Sequence, residues 1–119
     1  MNVVLLTSDL TVVSRVQGAA ARRGATLRTA GNQQQALDAC QNQPVEMVII
    51  DLAMPSLEVG GVVDQLRAGE SAAARIVAFG PHVHDERLAA ARQAGCDEVV
   101  SRGQFFSQLD AILGRHQAD

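Results

Sequence analysis

The clearest structural signal in the chain is the segment from Val45 to Pro55, which reads VEMVIIDLAMP. Its first six residues are almost wholly apolar, and the run stops at Asp51, ahead of a Met54-Pro55 loop. An apolar run without polar alternation predicts a β-strand that is buried on both faces. Strands of this kind occur in parallel sheets that are covered by helices on each side. The segment therefore predicts a central strand over 45–50 that ends at an acidic residue.

Short apolar runs and helical patterns alternate along the whole chain around this segment. The predicted strands cover 3–6, 25–30, 45–50, 76–79 and 99–100. The predicted helices cover 10–23, a segment from the capping Asn32 to a point before Pro44, a segment after Gly60-Gly61 that carries Val62, Val63 and Leu66, 84–94, and 104–115. In the first helix we expect Leu10, Val13, Val16 and Ala20 on the buried face. Five β–α units in series predict an α/β fold: one domain over 1–119, with a doubly wound parallel sheet and helices on both faces.

Composition argues against several classes of protein. Hydrophobic residues make up 47% of the chain, and the formal net charge is −3 with no lysine, which is unlike a nucleic-acid-binding protein. No apolar run approaches the ~20 residues that cross a bilayer, and the first residues lack the basic region of a secretory signal. We therefore expect a cytoplasmic protein that binds neither nucleic acid nor membrane. Cys40 and Cys96 form no disulfide framework and are expected to be buried free thiols.

Polar and small residues follow the predicted strands where each strand ends. In a doubly wound sheet, the functional crevice lies outside the carboxyl ends of the strands. The residues expected to share that edge are Thr7, Ser8, Asp9, Asp51, Gly80, Pro81, Ser101 and Arg102.

Two segments resemble a known family, the CheY-like receiver domains of two-component response regulators. The segment 48–55, followed by Gly60-Gly61, is similar to the strand, phospho-accepting aspartate, Met-Pro loop and glycine of receivers. The stretch from Ala94 to Glu98 resembles the residues that precede their fifth strand. The resemblance covers the whole chain and implies a strand order of 2-1-3-4-5, with Asp51 at the phospho-acceptor position. Receivers bind Mg²⁺ beside that aspartate, which takes up a phosphoryl group.

The chain departs from the receiver pattern at most of the other functional positions. Thr7 and Ser8 stand where receivers carry two metal-binding acids, and Asp9 lies one position later. Gly80 replaces the hydroxyl residue that ends the fourth strand, and Arg102-Gly103 replaces a Lys-Pro pair. On the fifth strand, Val99 and Val100 provide no aromatic switch residue. These departures predict a degenerate receiver, or pseudo-receiver, with no metal or other cofactor.

We consider two hypotheses for the role of Asp51. It could be a nucleophile, or an anchoring carboxylate that is paired with Arg102 and hydrogen-bonded by Thr7 or Ser8. We favour the anchor, because phosphoryl transfer needs electrostatic assistance that the substituted positions no longer supply. A standing ion pair between Arg102 and Asp51 is expected to hold the crevice in one state.

Other motifs carry weaker functional interpretations. His82 and His84 form an H-x-H pair that, with Asp9 and Asp51, makes a weak candidate metal site. We favour the interpretation that His84 or Asp85 helps to start the fourth helix and that His82 faces solvent. Gly60-Gly61 is interpreted as loop geometry before the third helix, since no phosphate-binding motif surrounds it. The three glutamines from 33 to 35, the arginines 22 and 23, and Arg115 are expected to be solvated.

We interpret the chain as a non-enzymatic, stand-alone signalling module that binds another protein without being phosphorylated. The resemblance implies an output face around the fourth helix, fifth strand and last helix, which includes Arg87, Arg92, Ser101, Gln104 and Gln108, with Phe105 or Phe106 as an aromatic anchor. The alternative is an atypical but working response regulator in a phosphorelay, with Mg²⁺ bound and Asp51 phosphorylated. A third reading, a flavodoxin-like small-molecule binder, is disfavoured because the chain lacks a phosphate loop and has few aromatic residues.

Overall fold

The computed structural model describes residues 1–117, with side chains described up to residue 115. Five strands alternate with helices along the chain. The strands are β1 (Asn2–Leu6), β2 (Thr26–Ala30), β3 (Met47–Asp51), β4 (Arg75–Gly80) and β5 (Glu98–Ser101). The helices are α1 (Leu10–Arg22), α2 (Gln33–Asn42), α3 (Val59–Ala68), α4 (Asp85–Ala94), α5 (Arg102–Ser107) and α6 (Leu109–Gln117).

The strands form one parallel sheet in the order β2-β1-β3-β4-β5, as predicted. The central strand β3 is buried along its whole length, including Asp51. Its register places Asp51 opposite Phe79 on β4, so the ends of these two strands lie side by side. This order and the parallel direction of the strands thus produce the expected crevice edge.

Two apolar layers cover the sheet. On one face, alternate strand residues pack against α2, α3 and α4. On the other face, the remaining strand residues pack against α1, α5 and α6. Successive side chains of a strand point to opposite faces of the sheet. In β1, Val4 and Leu6 therefore belong to the first layer, while Val3 and Leu5 belong to the second.

Several helix ends follow the predicted signals. Asn32 caps α2 by accepting a hydrogen bond from the Gln35 N–H at 2.9 Å. Gly95 ends α4 in the left-handed conformation, with φ of 98°, which glycine adopts without steric cost. Gly60 and Gly61, in contrast, lie inside the first turn of α3, so the predicted loop before this helix is wrong at these residues.

The apolar face of α1 differs from the prediction. Leu10 begins the helix and is 82% exposed, whereas Val12, Val16, Ala19 and Ala20 are buried. The helix begins directly after Asp9, and its first residue therefore points away from the sheet. The predicted set contained the correct Val16 and Ala20, but its first member was on the wrong side.

The last predicted helix is two helices. α5 ends at Ser107 and α6 begins at Leu109, with Gln108 between them. The Gln108 N–H still bonds to the Gln104 carbonyl, and the Ile112 N–H bonds to the Gln108 carbonyl. Hydrogen bonds of the helical i→i−4 type therefore continue across Gln108, and Phe105 and Ile112 are both fully buried.

Some side chains expected to be solvated have partners. Arg22 pairs with Asp110 at 3.2 Å, and Arg115 pairs with Glu98. Gln33 accepts a hydrogen bond from the Glu58 N–H at 3.1 Å. The Arg22–Asp110 pair is exposed and contributes little to stability, whereas the Glu98 side chain that bonds Arg115 is mostly buried.

Both cysteines are free thiols, as expected, although only Cys40 is fully buried. Desolvation raises the pKa of the Cys40 thiol and of the Cys96 thiol to about 11. Neither thiol is therefore a nucleophile at neutral pH. Within residues 1–117, no helix is long and apolar enough to cross a membrane.

Candidate functional site

The predicted crevice residues lie together at the carboxyl edge of the sheet. Thr7 follows β1, Asp51 ends β3 and Gly80 ends β4. Ser101 ends β5, and Arg102 is the first residue of α5. The parallel strands thus bring to one edge residues that are far apart in sequence, as the predicted topology requires.

Asp51 is held at this edge by two hydrogen bonds. Its side chain is buried, with 3% of the residue exposed. Oδ2 accepts from the Thr7 hydroxyl at 2.7 Å, and Oδ1 accepts from the Ala53 N–H at 2.9 Å. A buried carboxyl group is tolerated when such partners satisfy it. Both carboxyl oxygens therefore have an internal partner.

Thr7 supplies more than one contact to the site. Its hydroxyl donates to Asp51 and also accepts from the Asp9 N–H at 3.1 Å. Its own N–H donates to the Ala30 carbonyl at 3.0 Å, which extends the β1–β2 ladder by one residue. Ser8, the neighbouring predicted residue, is exposed. Of the two hydroxyl residues proposed as partners of Asp51, Thr7 is the one that bonds it.

The expected ion pair between Arg102 and Asp51 is wrong. Arg102 pairs instead with Asp9, with Nη2 and Oδ2 2.9 Å apart. Asp9 lies at the partly exposed rim of the crevice, where its other oxygen caps α1 by accepting from the Thr11 N–H at 2.9 Å. The Arg102 guanidinium, followed by the Thr11 N–H, lowers the pKa of the Asp9 carboxyl. The arginine is thus directed to an accessible acid, while the buried Asp51 has its partners from β1 and the loop after β3.

Gly80 lies in a tight environment. A Cβ atom at this position would lie 3.2 Å from Leu52 Cβ and 3.8 Å from Leu88 Cδ2. Leu52 is buried, and its N–H donates to the Phe79 carbonyl at 2.8 Å. The side chain of Leu52 therefore lies close beside the glycine, and it would have to shift by a few tenths of an ångström to admit a hydroxyl-bearing residue at position 80.

Arg87 contacts the loop after β3, which the sequence interpretation missed. Its Nη1 donates to the Leu52 carbonyl at 2.7 Å, although the side chain begins on α4. This carbonyl directly follows Asp51 in the chain. The residue was expected only as part of an exposed output face, and no pattern in the sequence indicates that it reaches across to the end of β3.

The output face predicted from the sequence is only partly present. Arg92, Gln104 and Gln108 are exposed, although Gln104 also accepts from the Ser101 N–H in a capping box. Phe105 is not a surface anchor, because it is fully buried and stacks on Phe79 with ring centroids 4.1 Å apart. Phe105 lies four residues before Leu109, and both residues belong to the core.

The histidines lie in the exposed connection between β4 and α4. His82 and His84 are exposed, and His84 precedes α4 without a side-chain capping bond. In the part of the chain that the structure describes, no three His, Cys, Asp or Glu side chains come together as a metal-binding group. The weak candidates Asp9, Asp51, His82 and His84 are accordingly not assembled into such a group.

Known structures share this architecture, although the sequence itself is distant. No protein-family model and no curated protein matches the chain. The receiver domain of a sensor histidine kinase from Pseudomonas aeruginosa, with a magnesium ion coordinated in its active-site cleft, superposes with a TM-score of 0.84 at 17% identity, and the match covers 99% of this chain and 98% of that one. The chemotaxis response regulator CheY4 of Vibrio cholerae gives a TM-score of 0.82 at 17% identity, over 97% of each chain. A response regulator from Thermotoga maritima gives 0.81 at 14% identity, over 99% of this chain and 98% of that one. Together with the strand order 2-1-3-4-5, these matches show that the chain has the CheY-like receiver fold.

Proposed function

We propose that this protein is a receiver-like module of two-component signalling that acts by binding a partner protein, without phosphorylation of Asp51. The observation that carries the proposal is the 2.7 Å hydrogen bond from the Thr7 hydroxyl to Asp51 Oδ2. Thr7 stands where the family resemblance places a metal-binding acid. At position 7 this chain has a hydroxyl that donates to Asp51, whereas a carboxylate at that position would help to hold a cation.

The donor set at the crevice does not suit Mg²⁺. This ion is bound through carboxylates and keeps several waters in an octahedral shell. The nearest candidates are Asp51, which is buried and hydrogen-bonded on both oxygens, and Asp9, which pairs with Arg102. Ser8 offers a neutral hydroxyl. Without a cation, the negative charge of an incoming phosphoryl group would be poorly compensated.

The surroundings of Gly80 support the same proposal. A phosphoryl group on Asp51 would find no hydroxyl at this position, and Leu52 fills the adjoining space. A ligand shifts a conformational equilibrium only through contacts that differ between the two states. The contacts that would couple a phosphoryl group to α4 are therefore missing at this strand end.

The alternative function is phosphorylation of Asp51 in a phosphorelay. It is favoured by one observation, namely that Asp51 lies at the carboxyl end of the central strand of a receiver fold. In that case Mg²⁺ would have to enter the crevice and the Thr7 hydroxyl would have to release Oδ2. The two functions differ in a property that can be measured directly.

Intact-mass spectrometry after incubation with acetyl phosphate and Mg²⁺ tests the proposal. We expect no mass increase, whereas a working receiver treated in parallel gains one phosphoryl group of about 80 Da. The matched control is Asp51→Asn, which removes the acceptor. An increase of about 80 Da in the unmodified sequence that is lost in Asp51→Asn would overturn the proposal in favour of the phosphorelay.

A further inference from the structure

Phe105 and Phe106 were the two candidates for an aromatic anchor, and Phe106 is the partly exposed one. It lies on a different side of the molecule from α4. Phe106 is half-buried at the junction of α1 and α5. The guanidinium carbon of Arg15 lies 4.3 Å from the centre of its ring, and that of Arg102 lies 5.1 Å from it. These distances are typical of cation–π contacts. One aromatic ring thus positions two cationic side chains.

A groove of about 650 Å³ lies beside this ring, between α1 and the α5–α6 junction. The break between α5 and α6 at Gln108 forms one wall. The polar and charged residues that line the groove include Ser14, Arg15, Arg22, Ser107, Gln108 and Asp110. Their hydroxyl, amide and guanidinium groups offer many hydrogen-bond donors on a concave surface.

The charge of this groove is more positive than that of the protein as a whole. The chain carries a net charge of −3, yet α1 contains two arginines and no acidic residue. Among the described side chains, no carboxylate lies within ion-pair distance of Arg15. The contact with Phe106 orients this guanidinium without neutralising it. Its donors therefore remain available to an external carboxylate.

The second arginine of α1 can also exchange its partner. Arg22 donates from Nε and Nη2 to the Asp110 carboxylate at 3.2–3.3 Å, and both side chains are more than half exposed. Water and salt screen a solvated pair of this kind. A carboxylate from another molecule can therefore compete with Asp110 for this arginine.

We infer that the groove lined by Arg15, Arg22 and Phe106 docks an acidic segment of a partner protein. The inference rests on the proposed function and specifies its partner: carboxylates would bond the two arginines while aliphatic groups contact the ring. A nucleic acid fits the groove less well, since Phe106 is the one aromatic residue among those that line it and is only partly exposed, which leaves little ring area for stacking of bases. The chain also contains no lysine.

The test is a ¹H–¹⁵N NMR titration of the full chain with a short acidic peptide of glutamate, alanine and serine. A peptide with glutamine in place of glutamate is the control ligand, and a single-stranded oligonucleotide is the competing class. We expect shifts of the amides of α1 and of residues 104–111 with the acidic peptide only. Arg15→Gln should weaken this binding about fivefold or more, because one charge-assisted bidentate contact is lost.

Arg92→Gln is the matched control variant, since Arg92 is an exposed arginine on α4, on the other face of the sheet. It should leave the affinity unchanged. Equal binding of the glutamine peptide, shifts confined to other surfaces, an equal loss in Arg92→Gln, or binding of the oligonucleotide alone would each overturn the inference. The titration contains neither Mg²⁺ nor a phosphodonor, so its failure is distinct from phosphorylation of Asp51, which would overturn the proposed function instead.

Discussion

The hydrogen bond between Thr7 and Asp51 can be removed without changing the shape of the side chain. Thr7→Val replaces the hydroxyl by a methyl group of similar size. The substitution leaves Asp51 Oδ2 without its donor and the Asp9 N–H without its side-chain acceptor. Because Thr7 and Asp51 are both 3% exposed, water does not readily replace the lost partner.

The magnitude follows from the burial of these groups. A buried donor or acceptor that loses its partner costs about 1–3 kcal/mol. The second lost contact lies closer to solvent and adds less, so we expect Thr7→Val to lower the free energy of unfolding by about 2 kcal/mol. This is a large share of the about 5–15 kcal/mol that stabilises a typical domain.

Equilibrium unfolding in urea near neutral pH measures this difference, with an unchanged m-value as the check on two-state behaviour. Thr11→Val is the matched control, because Thr11 is exposed on α1 and the same substitution there should stay within about 0.5 kcal/mol. In the Asp51→Asn background, Thr7→Val should cost about 1 kcal/mol less than in the unmodified protein. A loss at Thr7 no greater than at Thr11, or full additivity with Asp51→Asn, would refute the view that this bond anchors the site.

Three further predictions address the switch, the core and the charges. Beryllofluoride with Mg²⁺ should cause no NMR chemical-shift changes across α4 and β5, and widespread shifts there would support the phosphorelay instead. Phe105→Ala should cost about 3–5 kcal/mol in urea unfolding, since it empties a stacked core site, whereas Phe106→Ala at the half-buried surface should cost about 1–2 kcal/mol; equal losses would contradict this assignment. Burial alone would raise the pKa of Asp97, but the Ile76 N–H and Arg67 together lower it. The ionised Asp97 carboxylate therefore stabilises the folded state at neutral pH, and this stabilisation is lost as the pH falls below about 4. Asp97→Asn should therefore have a lower free energy of unfolding than the unmodified protein near neutral pH. The difference between the two free energies should shrink in acid.

The fold could be predicted because its signals are local and repeated. Strands buried on both faces are mostly apolar, and the runs 47–50 of β3 and 76–79 of β4 are the clearest cases. Caps at Asn32 and Gly95 indicate where helices begin and end. The exposed Leu10 shows the limit of this reasoning, because a hydrophobic residue at the first position of a helix fits the periodic pattern whether or not it faces the sheet.

The site could be predicted only as a set of residues at one edge. Parallel strands bring Thr7, Asp51 and Gly80 together whatever their side chains are, so sequence order is sufficient for their location. The choice of partner depends on distances that no spacing encodes. Arg102 was expected to pair with Asp51, and it pairs instead with Asp9 at the partly exposed rim.

The contacts around Leu52 bear on whether α4 responds to a phosphoryl group on Asp51. The Leu52 side chain fills the space beside Gly80, and its carbonyl accepts from Arg87 of α4. The end of β3 is therefore joined to α4 by packing and by a hydrogen bond that are both already present. A phosphoryl group on Asp51 would find no hydroxyl at position 80 to recruit. Under the proposed function we therefore expect one state of α4 with or without modification of Asp51, because a ligand changes a conformation only by the difference in its contacts with the two states.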